Sequence, residues 1–143
     1  MREWESQSHV RWYCRYHIVI VPKYRRKAIF GALRRELGPI LKDLCKRYGV
    51  ELIEGHVMTD HVHMLLSIPP KFSVANIVGK LKGKSTIMIN QTYVKQRNFR
   101  GLHFWSRGYC VSTTGYDEQV IRNYIRNQEE TDKKEAQLTF DFN

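Results

Sequence analysis

Long apolar runs are absent from this 143-residue chain, and none approaches the roughly 18 residues that a membrane-spanning helix requires. The first nine residues are polar and include two glutamates, so we expect no secretory signal. Cysteine is scarce: Cys14, Cys45 and Cys110 are far apart and form no CxxC pair. This cysteine usage predicts reduced thiols in a cytoplasmic protein, and it argues against a disulfide framework or a cysteine zinc site.

Acidic residues are missing from two long blocks of the chain. No Asp or Glu lies between Glu5 and Glu36 or between Asp60 and Asp117, although each block carries eight Lys or Arg, and the net charge is +10. Such blocks predict a surface that binds a phosphate backbone by releasing counterions. Aromatic rings are interleaved with these charges in segments 22–27 and 93–105, which favours unstacked bases of a single strand. The alternative is a soluble basic protein without a nucleic-acid role.

A nucleotide-binding loop is also missing. The segment GKLKGKS at 79–85 has three residues between its glycines, whereas the phosphate-binding loop of ATPases needs four. The segment lies within a predicted helix and follows no predicted strand. We therefore predict no nucleotide cofactor, and we interpret the lysines of this segment as contacts to a phosphate backbone at most.

The hydrophobic pattern predicts a single domain that spans residues 1–143, with an ordered core at about 10–132 and a tail at 133–143. Apolar alternation and helical spacing predict four strands and three helices in the order βαββαβα. The strands are 11–22, 50–58, 61–69 and 108–114, and the helices are 29–48, 73–91 and 117–133. This order predicts an α+β fold, a ferredoxin-like (split βαβ) antiparallel sheet with helices on one face and an extra C-terminal helix. The Thr59-Asp60 turn is expected to join the second and third strands into a hairpin. Gly49 is expected to close the first helix, Ser73 to cap the start of the second, and Thr114 or Asp117 to cap the start of the third.

Two histidines stand one residue apart at the head of the third predicted strand. Residues i and i+2 of a strand point to the same face, so His61 and His63 project side by side while Val62 faces the other way. Two imidazoles on a rigid strand suit one metal ion, although they do not make a complete site. The alternative is a pair of histidines on a solvated sheet face. His17 is expected on the neighbouring central strand and His56 across the hairpin.

The last predicted helix carries a tyrosine and a glutamine on one face. Tyr124 and Gln128 are four residues apart, hence about one turn from each other. If this helix lay over the sheet, Gln128 would add an oxygen ligand to the two histidines, with the Tyr124 hydroxyl beside them. The alternative is an ordinary apolar stripe in which Tyr124 belongs to the core.

Five segments in order and spacing, 16–31, 55–70, 81–86, 104–115 and 120–128, resemble the single-tyrosine HUH transposases of the insertion sequence 200/605 family. HUH stands for His-hydrophobe-His, here His61-Val62-His63. The resemblance covers nearly the whole chain. Two positions depart mildly from the family pattern, Thr86 where a second serine is common and Cys110 where an aromatic residue is common.

The resemblance implies a chemistry and a set of site residues. His61, His63 and Gln128 are expected to bind one Mg²⁺ or Mn²⁺ per active site, and Tyr124 is expected to be the catalytic nucleophile on single-stranded DNA. The implied reaction is cleavage and rejoining at insertion-element ends, through a covalent 5′-phosphotyrosine intermediate. The expected partners are single-stranded DNA with hairpins near the element ends and a second copy of the chain, whose tyrosine helix can complete the active site in trans.

Seven basic residues are candidates for DNA contacts, although each is nearly as well explained by a solvated surface. They are Lys23, Arg25, Arg26, Lys27, Lys82, Lys84 and Arg107. Two competing functions stay open at this point. One is a non-enzymatic module that binds single-stranded RNA or DNA on the same fold. The other is a metallophosphoesterase that uses water and would tolerate Tyr124→Phe.

Overall fold

The computed structural model describes residues 4–7, 9–23, 28–92, 104–115 and 117–142. Its strands are β1 (Glu5–Gln7), β2 (Val10–Trp12), β3 (Arg15–Ile20), β4 (Glu51–Val57), β5 (Val62–Ser67) and β6 (Cys110–Ser112), and its helices are α1 (Gly31–Arg47), α2 (Val74–Thr92) and α3 (Glu118–Phe142). β4, β5, β3 and β6 form one antiparallel sheet in that spatial order, while β1 and β2 form a separate hairpin. This architecture confirms the predicted α+β class and the split βαβ plan.

The two faces of the four-stranded sheet are covered by different helices. Ile18 and Ile20 belong to the main core, together with buried residues of α1 and α2. Val19 and Val21 point the opposite way and pack against Ile121 and Ile125 of α3. Because neighbouring residues of a strand alternate between faces, α3 lies on the face opposite α1 and α2. The extra helix therefore covers the side of the sheet that carries His63, which pairs directly with Val19.

The ends of α1 are set by its sequence. Leu33, Leu37, Leu41 and Leu44 recur at helical spacing and are all buried. At the carboxyl end Gly49 has φ +75°, its N–H donates to the carbonyl of Lys46, and the N–H of Val50 donates to that of Cys45. This is a Schellman motif, in which glycine adopts the left-handed conformation without strain. The prediction that Gly49 closes this helix is confirmed.

The predicted helix caps and the predicted hairpin are also present. Ser73 Oγ accepts a 3.0 Å hydrogen bond from the N–H of Asn76, and Asp117 Oδ1 accepts one of 3.2 Å from the N–H of Val120. These bonds satisfy amide groups that the first turn of a helix leaves unpaired. The turn between β4 and β5 is closed by a 2.9 Å bond from the N–H of Met58 to the carbonyl of His61.

Two segments differ from the sequence prediction. The predicted strand 11–22 is divided, because β2 ends at Trp12, β3 begins at Arg15, and β2 pairs with an unpredicted strand β1. The last helix continues to Phe142 rather than ending near Lys133. Its extension contains Lys, Glu, Ala, Gln and Leu, which favour helix even without a clear apolar stripe. Within the described ranges, no helix combines the length and the apolar character needed to cross a membrane.

Candidate active site

Four histidines converge on the sheet face that α3 partly covers. His63 on β5 lies directly opposite His56 on β4, and His17 lies on β3 at the other side of β5. The rings of His17 and His63 are stacked with centroids 5.2 Å apart, and those of His56 and His63 with centroids 5.8 Å apart. His61, at the entry to β5, lines the same cleft as these three. The expected positions of His17 and His56 are confirmed.

His63 is buried and electrically neutral in this arrangement. Burial, with His17 and His56 adding to it, lowers the pKa of His63 to about 4. A neutral imidazole keeps the lone pair that a metal ion needs. Nε2 of His63 lies 3.1 Å from Nδ1 of His17, so one ring donates a hydrogen bond and the other accepts it. His17 therefore contacts a proposed metal ligand, which the sequence did not predict.

His61 is oriented by the residue before it. Its Nδ1 lies 2.8 Å from Oδ1 of Asp60, and the His61 side chain is only 13% exposed. A carboxylate accepts only from a protonated Nδ1, so in the neutral ring Nε2 is the nitrogen with a lone pair, the arrangement that accompanies metal-binding histidines. The sequence predicts a turn at Asp60 and gives no sign of this contact with His61.

The histidines line a cleft of about 450 Å³ that the first turns of α3 also reach. Glu118 and Arg122 contribute to its wall, together with Glu54 of β4. Glu118 Oε1 accepts a 2.9 Å hydrogen bond from Nη2 of Arg122, one helical turn away. Among the described residues, no three His, Cys, Asp or Glu side chains are grouped closely enough to hold a metal ion. A cation bound by His61 and His63 would therefore need a further donor from outside this group.

Tyr124 and Gln128 do not line this cleft. Successive residues of an α-helix turn by about 100°, so Tyr124 and Gln128 share one flank of α3 while Glu118 and Arg122 share the other. The apolar stripe that seats α3 on the sheet runs between these flanks. In this docking the helix turns its Glu118 flank toward the histidines and its Tyr124 flank toward β6. The structure therefore brings His61 and His63 together but leaves Tyr124 and Gln128 outside their cleft.

The hydroxyl of Tyr124 is enclosed near the segment that precedes β6. A side chain on Gly108 would place its Cβ 3.8 Å from this hydroxyl, and Gly108 has φ +79°, so glycine fits there. Within the described residues the hydroxyl is buried without a hydrogen-bond partner. Burial, with smaller contributions from Cys110 and Asp132, raises the pKa of Tyr124 far above its usual value. In this position Tyr124 is a protonated phenol rather than a phenolate.

A buried polar group anchors α3 beyond the tyrosine. Asp132 and Ser106 are both 1% exposed, and the Ser106 hydroxyl donates a 2.9 Å hydrogen bond to Asp132 Oδ1. Lys82 Nζ donates to the carbonyls of Ser106 and Gly108 at 2.7 and 3.0 Å. Burial lowers the pKa of Lys82 and the Asp132 carboxylate opposes that shift. The sequence signal for Asp132 was its spacing of seven residues from Ile125, which puts it on the buried stripe.

The seven candidate DNA contacts are distributed unevenly. Lys84 and Arg107 are exposed, and Lys23 is half-buried. Lys82 is half-buried, and its ammonium group donates hydrogen bonds to two backbone carbonyls. These contacts hold the segment that precedes β6. Arg25, Arg26 and Lys27 lie outside the described residues.

Comparison with known proteins places this arrangement in a family. Residues 10–128 match the family described as "Transposase IS200 like". The chain is 44% identical over 143 residues to the transposase for insertion sequence element IS200 of Salmonella typhimurium, covering 99% of this chain and 94% of that protein. It is also 34% identical over 116 residues to the ISDra2 transposase TnpA of Deinococcus radiodurans, covering 79% of this chain and 82% of that protein. The chain belongs to the IS200-like transposase family.

Solved structures agree with this assignment. A crystal structure described as that of a transposase from Deinococcus radiodurans superposes with a TM-score of 0.76 at 31% identity, over 87% of this chain and 96% of that one. A REP-associated tyrosine transposase bound to a REP hairpin superposes with a TM-score of 0.52 over 84% of this chain and 68% of that one. Its identity is 12%, so this second likeness concerns the fold alone.

Proposed function

We propose that this chain cleaves and rejoins single-stranded DNA at the ends of an insertion element, through a covalent bond between Tyr124 and a 5′ phosphate. The observation that carries the proposal is that His61, oriented by Asp60, and His63, kept neutral by burial, line one cleft in a chain of the IS200-like transposase family. The same chain carries Tyr124 and Gln128 one turn apart on α3. A DNA substrate implies a cytoplasmic location, which is part of the proposal.

His61, His63 and Gln128 would hold one divalent cation. Imidazole nitrogen and amide oxygen together suit Mn²⁺ or Mg²⁺. Asp60 and His17 orient the two imidazoles through the hydrogen bonds described above. When bound, the cation would neutralise charge on the scissile phosphate and orient it. Gln128 is half-buried on the flank away from the cleft, so the donor set is complete only with a differently placed α3.

We propose that this α3 comes from a second copy of the chain or from a re-docked helix of the same chain. Two observations support a change of docking. The hydroxyl of Tyr124 is buried against an apolar environment, where a nucleophile cannot meet DNA. The flank that carries Tyr124 and Gln128 faces β6, whereas the cleft lies on the other side of the helix. A homodimer with exchanged helices would bring this flank to a neighbouring pair of histidines.

The reaction conserves the number of phosphodiester bonds. The oxygen of Tyr124 forms a bond to phosphorus, and the bond from phosphorus to the 3′ oxygen breaks. The phenol loses its proton and the 3′ oxygen gains one, so the products are a 5′-phosphotyrosine and a free 3′-OH. Because the new ester replaces the old one, a 3′-OH from another end can reverse the step and rejoin the strand without ATP. This agrees with the lack of a nucleotide-binding loop in the sequence.

The nucleophile needs help that its present position does not give. A phenol has an ordinary pKa of about 10, and burial raises that of Tyr124 further. In the histidine cleft the phenol would leave the apolar stripe and approach a cation, which favours the phenolate. Re-docking would therefore both deliver the nucleophile and lower its pKa.

The test uses single-stranded DNA from both flanks of the coding region, labelled at either end and incubated with protein and Mn²⁺. The DNA includes the hairpins near the element ends. We expect a denaturation-resistant adduct that carries only the label downstream of the cut. Tyr124→Phe and EDTA should each abolish it. Tyr48→Phe, which removes the hydroxyl of a half-buried tyrosine at the end of α1, serves as the matched control and should leave the adduct intact. Cleavage that survives Tyr124→Phe would mean hydrolysis by water.

A complementation experiment tests the exchange of helices. The His63→Ala and Tyr124→Phe variants are made as chains of different size. Each variant alone is expected to be inactive, and the two are then mixed. If the active site forms in trans, the mixture regains an adduct, and the adduct is on the His63→Ala chain because that chain keeps Tyr124. A mixture that stays inactive although mixed dimers are demonstrated would mean that each chain uses its own helix.

A further inference from the structure

An exposed aromatic pair stands at the amino end of β3. Trp4 is 65% exposed and Tyr13 is 44% exposed, and their ring centroids are 5.8 Å apart with the planes tilted by 50°. The guanidinium carbon of Arg15 lies 4.7 Å from the centre of the Tyr13 ring, within the range of a cation–π contact. Trp4, Tyr13 and Arg15 are called the N-terminal platform below.

The N-terminal platform adjoins the sheet face that carries the histidine cleft. Arg15 pairs with Ser67 of β5, and Ser67 lies four residues from His63 on the same face of that strand. At about 3.3 Å per residue, the two ends of this stretch are roughly 13 Å apart. The Ser67 hydroxyl donates a hydrogen bond to the Glu5 carboxylate, which ties the β1–β2 hairpin to β5. The platform and the cleft are therefore neighbours on one surface.

Two arginines, Arg11 and Arg15, carry the positive charge around the platform, and the acidic residue Glu51 lies on the far side of β5, opposite Ser67. Arg11 is exposed on β2, and no acidic residue lies between Glu5 and Glu36. Glu5 itself accepts the hydrogen bond of Ser67. Open ring faces beside cations are the arrangement that proteins use for successive bases of a single strand, because every base has a face on which an aromatic ring can stack.

We propose that the N-terminal platform stacks unpaired bases that flank the cleavage site and so guides the single strand toward the histidine cleft. The proposal rests on the proposed function for the identity of the polymer as single-stranded DNA. It assigns a role to a part of the chain that begins before the family match, since that match starts at residue 10. The platform is also a third place, after segments 22–27 and 93–105, where aromatic rings alternate with cations.

Duplex DNA and a second copy of the chain fit this surface less well. In a duplex the base faces are stacked on one another and are closed to Trp4. A second copy of the chain would supply no phosphates to pair with Arg11 and Arg15. A single strand supplies both open base faces and phosphates, so it matches the rings and the charges at once.

Tryptophan fluorescence reports on the platform directly. Trp12 and Trp105 are 8% and 3% exposed, so Trp4 is the exposed member of the three tryptophans. We would titrate the full chain with oligothymidylate in EDTA, where no cleavage occurs, and follow quenching of emission and, separately, anisotropy of a labelled oligomer. Phe30→Ala is the matched control, because Phe30 is also 65% exposed and lies at the start of α1.

We expect saturable quenching and a loss of affinity of about 5- to 100-fold in Trp4→Ala, the range typical for removing one stacked base contact. Trp4→Phe keeps a ring and should retain most of the affinity while losing the quenching signal. Phe30→Ala should bind like the wild type. A matched duplex should not quench.

Two affinity results would overturn the proposal: an unchanged affinity for the oligomer in Trp4→Ala, or an equal loss of affinity in Phe30→Ala. A third would be tryptophan emission that, without DNA, depends on protein concentration and follows dimer formation in sedimentation. The last result would assign the surface to a second copy of the chain.

Failure of the platform proposal is separable from failure of the proposed function. If wild type forms the Tyr124 adduct while Trp4→Ala binds normally, only the platform is wrong. If quenching occurs but no adduct forms on flanking DNA, the platform stands and the transferase does not.

Discussion

Nδ1 of His17 and Nε2 of His63 lie 3.1 Å apart on neighbouring strands, and their ring planes are within 2° of parallel. The two residues are 46 positions apart in the chain. The shared hydrogen bond fixes the orientation of the His63 ring, and when Nε2 of His63 is the donor, Nδ1 of the same ring keeps its lone pair. His17 is thus a positioning residue for His63, as Asp60 is for His61.

Removing His17 should weaken metal use without removing a ligand. We expect His17→Ala to raise the Mn²⁺ concentration for half-maximal adduct formation by about 10- to 100-fold, as loss of a hydrogen bond to a metal-binding histidine commonly does. His17→Gln, which keeps a polar partner, should recover part of the loss. His9→Ala serves as the control, because His9 is exposed. A Mn²⁺ titration that His17→Ala leaves unchanged would contradict the role given to His17.

Ser106 and Asp132 should hold α3 in its observed docking. Ser106→Ala takes one hydrogen bond from a buried carboxylate, so we expect the free energy of unfolding to fall by about 1–3 kcal/mol. Amide hydrogen exchange should accelerate along α3. Thr131→Ala is the control, because its hydroxyl donates to the carbonyl of Asn127 in the same helix, at an exposed site. Urea denaturation that gives the same stability for both variants would show that the buried bond does not anchor the helix.

Lys82 and Lys84 should have different roles, Lys82 in stability and Lys84 in DNA binding. Lys84→Ala should leave stability within about 0.5 kcal/mol, since the side chain is exposed. It should reduce the slope of log K against log salt for single-stranded DNA by about 0.7, the value for one phosphate contact. Lys82→Ala should instead lower the free energy of unfolding by about 1–3 kcal/mol, because two backbone carbonyls lose their donor. The reverse pattern would contradict this division.

The sequence predicted those features that depend on local periodicity. The i, i+2 spacing of His61 and His63 placed both rings on one face, and Ser73, Asp117 and Gly49 marked helix ends through known capping chemistry. These inferences need only the geometry of a strand or a helix end, so they hold whatever the tertiary arrangement is.

Features that depend on how distant elements meet could not be predicted. The contact between His17 and His63 requires the order of strands in the sheet, which no local pattern specifies. The flank of α3 that meets the histidines depends on which side of the apolar stripe lies over β5. Strand β1 was missed because Glu5–Gln7 has no apolar alternation and is held by pairing with β2.

The central claim is that Tyr124 forms the covalent bond to DNA, and the most direct measurement identifies the modified residue. Protein incubated with flanking single-stranded DNA and Mn²⁺ is treated with nuclease and trypsin, and the peptides are analysed by mass spectrometry. Trypsin cuts after Arg122 and Arg126, which leaves a peptide of residues 123–126 with Tyr124 as its single tyrosine. The account predicts a 5′-linked nucleotide on this peptide, absent without Mn²⁺. Nucleotide on another tyrosine, or cleaved DNA with residues 123–126 unmodified, would contradict it.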